Sequence, residues 1–469
     1  MKNMTLEQIT AACSGRYVGE EGAKQTSVGG VVIDSRLAEP GYLFIPIKGE
    51  RVDGHTFIPA VFEKGVAAVL SEVELSQPAG PYILVESTAQ ALKDIAEYYR
   101  STLQIPVIGI AGSVGKTSTK EMIASVLAQK FCVLKTEGNF NNEIGLPLTI
   151  LKIRPEHEAA VVEMGISDFG EMHRLAKVAR PDICVMTNIG LCHLEKLKSR
   201  DGILKAKSEM FDFLTEDGVV ILNGNDDKLS TIHTVRDIVP VRYFVEDGHG
   251  EKGDVSYAVT ASGIQNLGLK GMQADLTFAQ DKTNIRRVNI HIPGAHNVYN
   301  ALAGACVGLS LGMSLDEIIQ GIEQARTIRG RTHLLEAGGM TIIDDCYNAN
   351  PVSMKASLDV LSLGLGRKIA VLGDMGELGE DEYHLHAEVG TYAAQKGISA
   401  LFCCGERSET MGKAAYEGGC EVHHFLDREE MVEALLAYVK AGDNILVKAS
   451  HFMEFPKVVD ALVKHNSCE

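Results

Sequence analysis

The 469-residue chain has no tryptophan, no CxxC pair, and no run approaching the ~20 apolar residues that a membrane-spanning helix needs. Without such a run, and with a start (MKNMTLEQITAACSG) that lacks the apolar core of a secretion signal, the expectation is a cytoplasmic protein with no membrane insertion. The 10 cysteines form no metal-ligand spacing, and a chain of this size needs no disulfide staples, so they are expected to be reduced. Cys132, Cys184 and Cys306 lie in apolar runs and are expected to be buried, while Cys403 and Cys404 are expected to end a buried strand. Basic residues are few beside acidic ones, 45 against 62, and the net charge of −17 argues against nucleic acid as a partner, which requires an extended basic face. An anionic ligand would need positive charge focused locally in its site. The missing tryptophan excludes nothing.

What is present is an apolar content of 45% on a chain too long for one core, so two or three domains are expected. Short strand-like runs (GGVVIDSR, YLFIPIKG, AAVLSEV, YILVES) and a helix-like AQALKDIAEYYRSTL lead up to Pro106 and suggest a small mixed domain over 1–104. From Val107 the rhythm is buried strand, turn and helix (PVIGIAG, AAVVEMG, DICVMTNIG, GVVILNGND), which predicts a mainly parallel, doubly wound α/β sheet over 105–328. Within it, residues 240–292 alternate polar and apolar and suggest a small antiparallel addition. Ser314 and Glu317 form a capping box on the helix that follows. A third α/β rhythm over 329–469 (TIIDDC, KIAVLGDM, ALFCCGE, NILVKAS) suggests a Rossmann-like sheet without its GxGxxG turn.

The stretch GIAGSVGKTSTKEMI (109–123) carries the clearest chemistry. It departs from GxxxxGK[ST], because Ile110 stands where that pattern has its first glycine. Strand, glycine turn and helix start nevertheless supply what holds phosphate: backbone N–H groups, a helix N-terminus, a lysine and a hydroxyl. Gly112, Ser113, Val114, Gly115, Lys116, Thr117 and Ser118 are therefore candidates for ATP binding, with the Thr117 hydroxyl a candidate Mg²⁺ ligand. Glu163 and His193 follow apolar strands at the end where α/β sheets bind ligands, and Glu163 there can hold Mg²⁺. Lys207 alone reads as an exposed helix lysine. Asn297 and Asn300 could be a helix cap and its neighbour, and Arg331 is a plausible phosphate partner. The residues alone reach an ATP/Mg²⁺ enzyme, with a phosphotransferase or a noncatalytic ATP-binding partner still open.

In this order the segments resemble the Mur ligase family, ADP-forming amide ligases of peptidoglycan synthesis whose loop has the shorter form GxxGK[TS]. TEGNFNNEIGLP (136–147), DDCYNANPVSM (344–354) and VLGDMGELG (371–379) resemble the member that joins D-alanyl-D-alanine to UDP-N-acetylmuramoyl-tripeptide. The resemblance implies catalytic roles for Lys116, Lys207 and His193. It implies two Mg²⁺ sites from Thr117, Glu163, His193 and a carbamylated Lys207, and contacts to ATP from Asn297, Asn300, Arg331 and Asp345. It implies substrate binding by Ser35, Arg36, Lys48, Gly49 and Asp53 at the UDP end (DSR, 34–36; KGERVDGH, 48–55), and by Asn139, Asn141, Asn142, Asn348 and Asn350 elsewhere. It also implies a first domain that binds the UDP substrate, a middle domain that binds ATP, and a third that binds the dipeptide and closes on ATP. A monomer is expected, since one chain supplies every site. Cys192, Cys346 and His451 stand where alanine, serine and arginine are usual.

Overall fold

A computed structural model describes residues 1, 4–49, 52–246 and 256–465. Its strands assemble into sheets of 5, 9 and 6 strands, with a small 2-stranded pair beside the first, and mainly parallel pairing gives a three-domain α/β architecture. The first sheet runs in the order Arg16–Val18, Tyr82–Leu84, Ala68–Ser71, Leu43–Phe44, Val31–Val32. Its pairs are parallel except for that between Arg16–Val18 and Tyr82–Leu84.

In the nine-stranded sheet Val107–Ala111 is third from one edge, flanked by Ala159–Glu163 and Ile183–Met186. These strands are buried on both faces, which is why they read as continuous apolar runs. Successive side chains point to opposite faces, so Ile108, Ile110, Val161 and Val185 meet the helices Lys116–Leu127 and His296–Ser310. Val107, Ala111, Val162 and Met186 meet Gly145–Leu151, Glu171–Ala179 and Thr88–Ser101 on the other. Gly321 shows how closely the first layer packs: a Cβ there would lie 2.4 Å from the Val126 backbone.

The expected antiparallel addition is smaller than 240–292 and is not separate from the sheet. Val241–Val245 and Val259–Asn266 continue the parallel order, and only the pairs among Val259–Asn266, Met272–Phe278 and Asp281–Ile290 are antiparallel. Polar alternation marks one solvated face, which an edge strand of either orientation can have.

The third sheet runs His333–Ala337, Met340–Asp344, Asn444–Lys448, Lys368–Gly373, Ala400–Cys404, Glu421–Phe425, parallel except for its first pair. The strand His333–Ala337 was not visible as a run, because it lies at the edge of the sheet and its residues are only partly buried on either face. Cys403 and Cys404 end a buried strand as expected, and Cys184 and Cys306 are buried. Cys132 corrects its expectation: it is exposed, one residue before the strand Val133–Lys135, with its N–H donated to Glu158. Among the described residues no helix is long and apolar enough to cross a membrane.

Candidate functional site

The strand Val107–Ala111 runs into the glycine turn, and Ile110 belongs to the strand, so the loop begins at Gly112. Gly115 has φ 81° and caps the helix Lys116–Leu127 without a side-chain bond, leaving the helix N-terminus open toward a ligand. Gly112, at φ 153°, admits no side chain, since a Cβ would lie 2.0 Å from the Thr187 hydroxyl. The loop is clamped by residues the motif search missed. Asn188 accepts from the Val114 N–H at 3.1 Å and donates to its carbonyl at 2.9 Å, and Thr187 donates to the same carbonyl at 2.9 Å. The signal was the TN pair ending the strand before His193. The Ser113 hydroxyl donates to the Gly190 carbonyl at 3.0 Å. Lys116 folds back over the loop, its ammonium 2.9 Å from the Gly112 carbonyl.

Around this loop the chain gathers a cleft of about 620 Å³. The Thr117 hydroxyl donates to Glu163 Oε2 at 2.9 Å, and Asn141 donates to the other oxygen at 2.9 Å. Glu163 is only 3% exposed. From the third sheet Arg331 donates to Thr117 Oγ1 at 3.2 Å while its guanidinium lies 4.1 Å over the Tyr347 ring. His193 enters with a left-handed backbone (φ 49°), and its Nδ1 lies 2.6 Å from Glu377 Oε2, out of line for a hydrogen bond. Asn139, Asn142, Asn348 and Asn350 also line the cleft. Two of them are partly committed: Asn142 accepts from the Gly145 N–H at 2.8 Å, and Asn350 caps the helix Pro351–Ser362.

Lys207 overturns its surface reading. On the helix Arg200–Ser208 it is 1% exposed, and burial together with the nearby Lys116 ammonium pushes its pKa down to about 8. Among the described residues no ion pair involves it.

A second cavity, of about 650 Å³, opens on the other side of the loop, between Ser118, Asn188, Leu191, Tyr243, His296, Tyr299 and Arg331. Asn300 lines it and Asp345 closes it from the third sheet. Asn297 does not cap its helix, whose N-cap is Ala295. Its amide donates to the Pro293 carbonyl at 2.9 Å and accepts from Asn300 at 2.9 Å, and Asn300 accepts from Thr119 at 2.8 Å. Burial raises the cost of charging Asp345, but Lys448 at 2.6 Å outweighs it and holds the carboxyl below the ordinary range.

Ser35, Arg36, Lys48, Gly49 and Asp53 do not line either cavity. They sit in loops of the first sheet, where Arg36 pairs with Asp34 at 2.6 Å, Asp53 meets His55 at 2.7 Å, and the backbones of Lys48 and Asp53 form an isolated antiparallel β-bridge. Glu50 and Arg51 of the same segment lie outside the described residues.

Family profiles match most of the chain: the Mur ligase family catalytic domain over 27–111, the Mur ligase middle domain over 110–308, and the Mur ligase glutamate ligase domain over 330–451. The chain is 37% identical over 475 residues to the UDP-N-acetylmuramoyl-tripeptide–D-alanyl-D-alanine ligase of Bacillus subtilis, covering 99% of both chains. It is 32% identical to the enzyme of that name from Escherichia coli, covering 100% of both. Among solved structures, MurF from Acinetobacter baumannii superposes with a TM-score of 0.86 at 31% identity over 99% of each chain. MurF from Thermotoga maritima in complex with ADP superposes at 0.79 with 28% identity, over 94% of this chain and 98% of that one.

Proposed function

Since the chain belongs to the Mur ligase family, we propose that it joins D-alanyl-D-alanine to UDP-N-acetylmuramoyl-tripeptide with hydrolysis of ATP to ADP and phosphate, as a cytoplasmic monomer. The relatives' shared name supports the substrate pair, and the ADP complex of the Thermotoga maritima protein supports the nucleotide. The observation that carries the reading is the cleft itself, in which a phosphate loop faces Arg331 and Asn348 of the third sheet.

A peptide carboxylate is a poor acyl donor, and phosphorylation by ATP converts it into an acyl phosphate. Lys116 and Arg331 hold the phosphoryl oxygens and offset their charge. The free amine of the dipeptide then attacks the acyl carbon, and phosphate leaves through a tetrahedral intermediate. Acyl phosphates hydrolyse readily, so the third region must exclude water by closing, and a contact such as that of Arg331 with Thr117 is one that closing would make. Residues 1–104 bind the UDP end through Ser35, Arg36, Lys48, Gly49 and Asp53. Residues 105–328 bind ATP, and residues 329–469 bind the dipeptide.

The donor set suits Mg²⁺. Thr117 and Glu163 offer hard oxygens 2.9 Å apart, and His193 has a buried ring nitrogen without an aligned hydrogen bond. Two such ions would supply charge neutralisation between the phosphoryl oxygens and the substrate carboxylate. Lys207 as an amine is no ligand, but a pKa near 8 leaves enough free amine to take up CO₂, and the resulting carbamate is an anion able to hold the second ion.

The test is phosphate release from ATP with UDP-N-acetylmuramoyl-tripeptide, with the dipeptide or single amino acids as acceptor. Release that follows the dipeptide supports the reading; release that follows a single amino acid overturns it.

A further inference from the structure

Four carboxylates line the phosphate-loop cleft: Glu143, Glu163, Glu171 and Glu377. Three are already occupied. Glu143 pairs with Arg174 and lies 3.8 Å from Lys93. Glu163 accepts from Thr117 and Asn141, and Glu171 accepts from the backbone N–H groups of Ser167 and Asp168. Glu377 alone of the four comes from the third sheet, on the turn after the strand Lys368–Gly373. Its side chain is 64% exposed although it lines the cleft.

The turn is built to hold this side chain out. Asp374 accepts from the Ser408 N–H at 2.8 Å, the Met375 N–H donates to His386 at 2.9 Å, and the Gly376 N–H donates to Ser450 at 2.9 Å. On the far side Leu378 is buried. Glu377 itself adopts φ 59°, a left-handed conformation that is costly for a non-glycine residue. A turn pinned at both ends and strained at the one residue it projects is shaped for what that residue meets. Here its Oε2 faces the His193 ring nitrogen at 2.6 Å, while among the described residues nothing donates a hydrogen bond to Oε1, which is left for another N–H donor.

We propose that Glu377 receives the ammonium group of the incoming amine, which makes it the residue that selects an acceptor arriving as a cation and holds it beside the activated acyl group, where loss of one proton to solvent frees the amine to attack. The inference rests on the ligase reading above. An α-amine enters largely as a cation at neutral pH, and a cation leaving water for a cleft needs an anion there. Lys116 on the phosphate loop and Arg331, which comes from the third region as Glu377 does, attract phosphate and repel ammonium. Glu377 is the carboxylate that arrives with the third region, so closing that region delivers the nucleophile to the side of the cleft where the acyl phosphate forms.

The experiment compares Glu377→Gln and Glu377→Asp with the wild type, using two acceptors. At pH 7 D-alanyl-D-alanine presents an ammonium, whereas hydroxylamine is largely neutral and captures the acyl phosphate as a hydroxamate, releasing phosphate. Loss of the ion pair should raise the KM for the dipeptide by about tenfold to a hundredfold. The KM values for ATP and the UDP-tripeptide, and hydroxamate formation, should stay close to wild type, and Glu377→Asp should recover part of the dipeptide affinity. Equal loss with both acceptors overturns the proposal, because Glu377 would then serve the phosphoryl step through His193. An unchanged dipeptide KM also overturns it. A wild-type protein that makes neither product overturns the ligase reading itself, so the two failures are distinguishable.

Discussion

Leu92, Ile95 and Tyr99 of the helix Thr88–Ser101 lie in one continuous apolar core with Leu148, Ile150 and Leu175, so the first and middle sheets share an interior. The third sheet keeps two interiors of its own, one on each face. It meets the middle region through Arg331 on Thr117, Glu377 on His193, and the partly buried Leu269. A shared core is lost whole if its halves part, whereas polar contacts at an exposed joint can be exchanged for water at little net cost. The first two regions are therefore expected to move as one body, and the third to be the part that swings. The fixed body holds the phosphate loop, and the swinging part brings Arg331, Asp345 and Glu377.

The fixed side is tested most severely at Lys207. Lys207→Ala should lower ligase activity by about a thousandfold or more, the scale on which removing preorganised charge acts, and short carboxylic acids should restore part of it. With ¹³C-bicarbonate, a carbamate carbon signal should appear in the wild type, strengthen as pH rises through about 8, and be absent from the variant. The linkage has the same sign. Because the folded-state pKa is depressed, burying the ammonium opposes folding below about 8, and that penalty fades as pH rises from there toward the ordinary 10.5. Full activity in Lys207→Ala would remove the carbamate.

The shared core is broken next. Leu92 is fully buried in it, and Leu92→Ala should cost about 2–5 kcal/mol. Calorimetry should show the joint transition of the first and middle regions falling to lower temperature while the transition of the third stays in place. Separate shifts of the first and middle regions would contradict the single body.

How much of this was legible in the chain follows the range of the forces involved. The phosphate loop was legible because glycine conformations, a lysine and a helix start are local, and Ile110 misleads only a search that ignores the strand it ends. The parallel strands were legible because burial on both faces leaves an unbroken apolar run. Lys207 was not, since its burial comes from elements far along the chain and only the family resemblance flagged it. The clamp by Thr187 and Asn188 was missed for the same reason, as it reaches more than seventy residues back to Val114. Glu377 stood inside a quoted segment without a role, because nothing local says that its turn faces His193. Asn297 was misplaced as a cap because helix starts were judged by residue type, whereas its amide is committed to Pro293 and Asn300.

The swinging joint is tested at Arg331, the residue that touches both sides. Arg331→Lys keeps the charge but loses the fork and the planar contact with Tyr347. It should cost about tenfold to a hundredfold in kcat, as expected for 1.4–2.8 kcal/mol of transition-state stabilisation. The calorimetric transitions should hardly move. A large loss of thermal stability would mean that Arg331 is part of a rigid joint, and the contrast between the two joints would narrow.

The smallest effect is expected at Leu269, on the turn Gly268–Lys270 between Val259–Asn266 and Met272–Phe278. This turn reaches from the edge of the nine-stranded sheet to the third region, and Leu269 packs on the core around Met354 and Leu358. It is an apolar contact of the joint and lies away from the phosphate loop, so it bears on closure without touching the chemistry. Leu269→Ala removes a half-buried side chain and should cost about 1 kcal/mol or less, paid only in the closed form. Small-angle scattering should then show a larger radius of gyration than wild type without ligands, and the two proteins should converge once ATP and the UDP-tripeptide are bound. The KM for ATP should rise only slightly at unchanged kcat. If the radius does not change, the turn does not govern the joint.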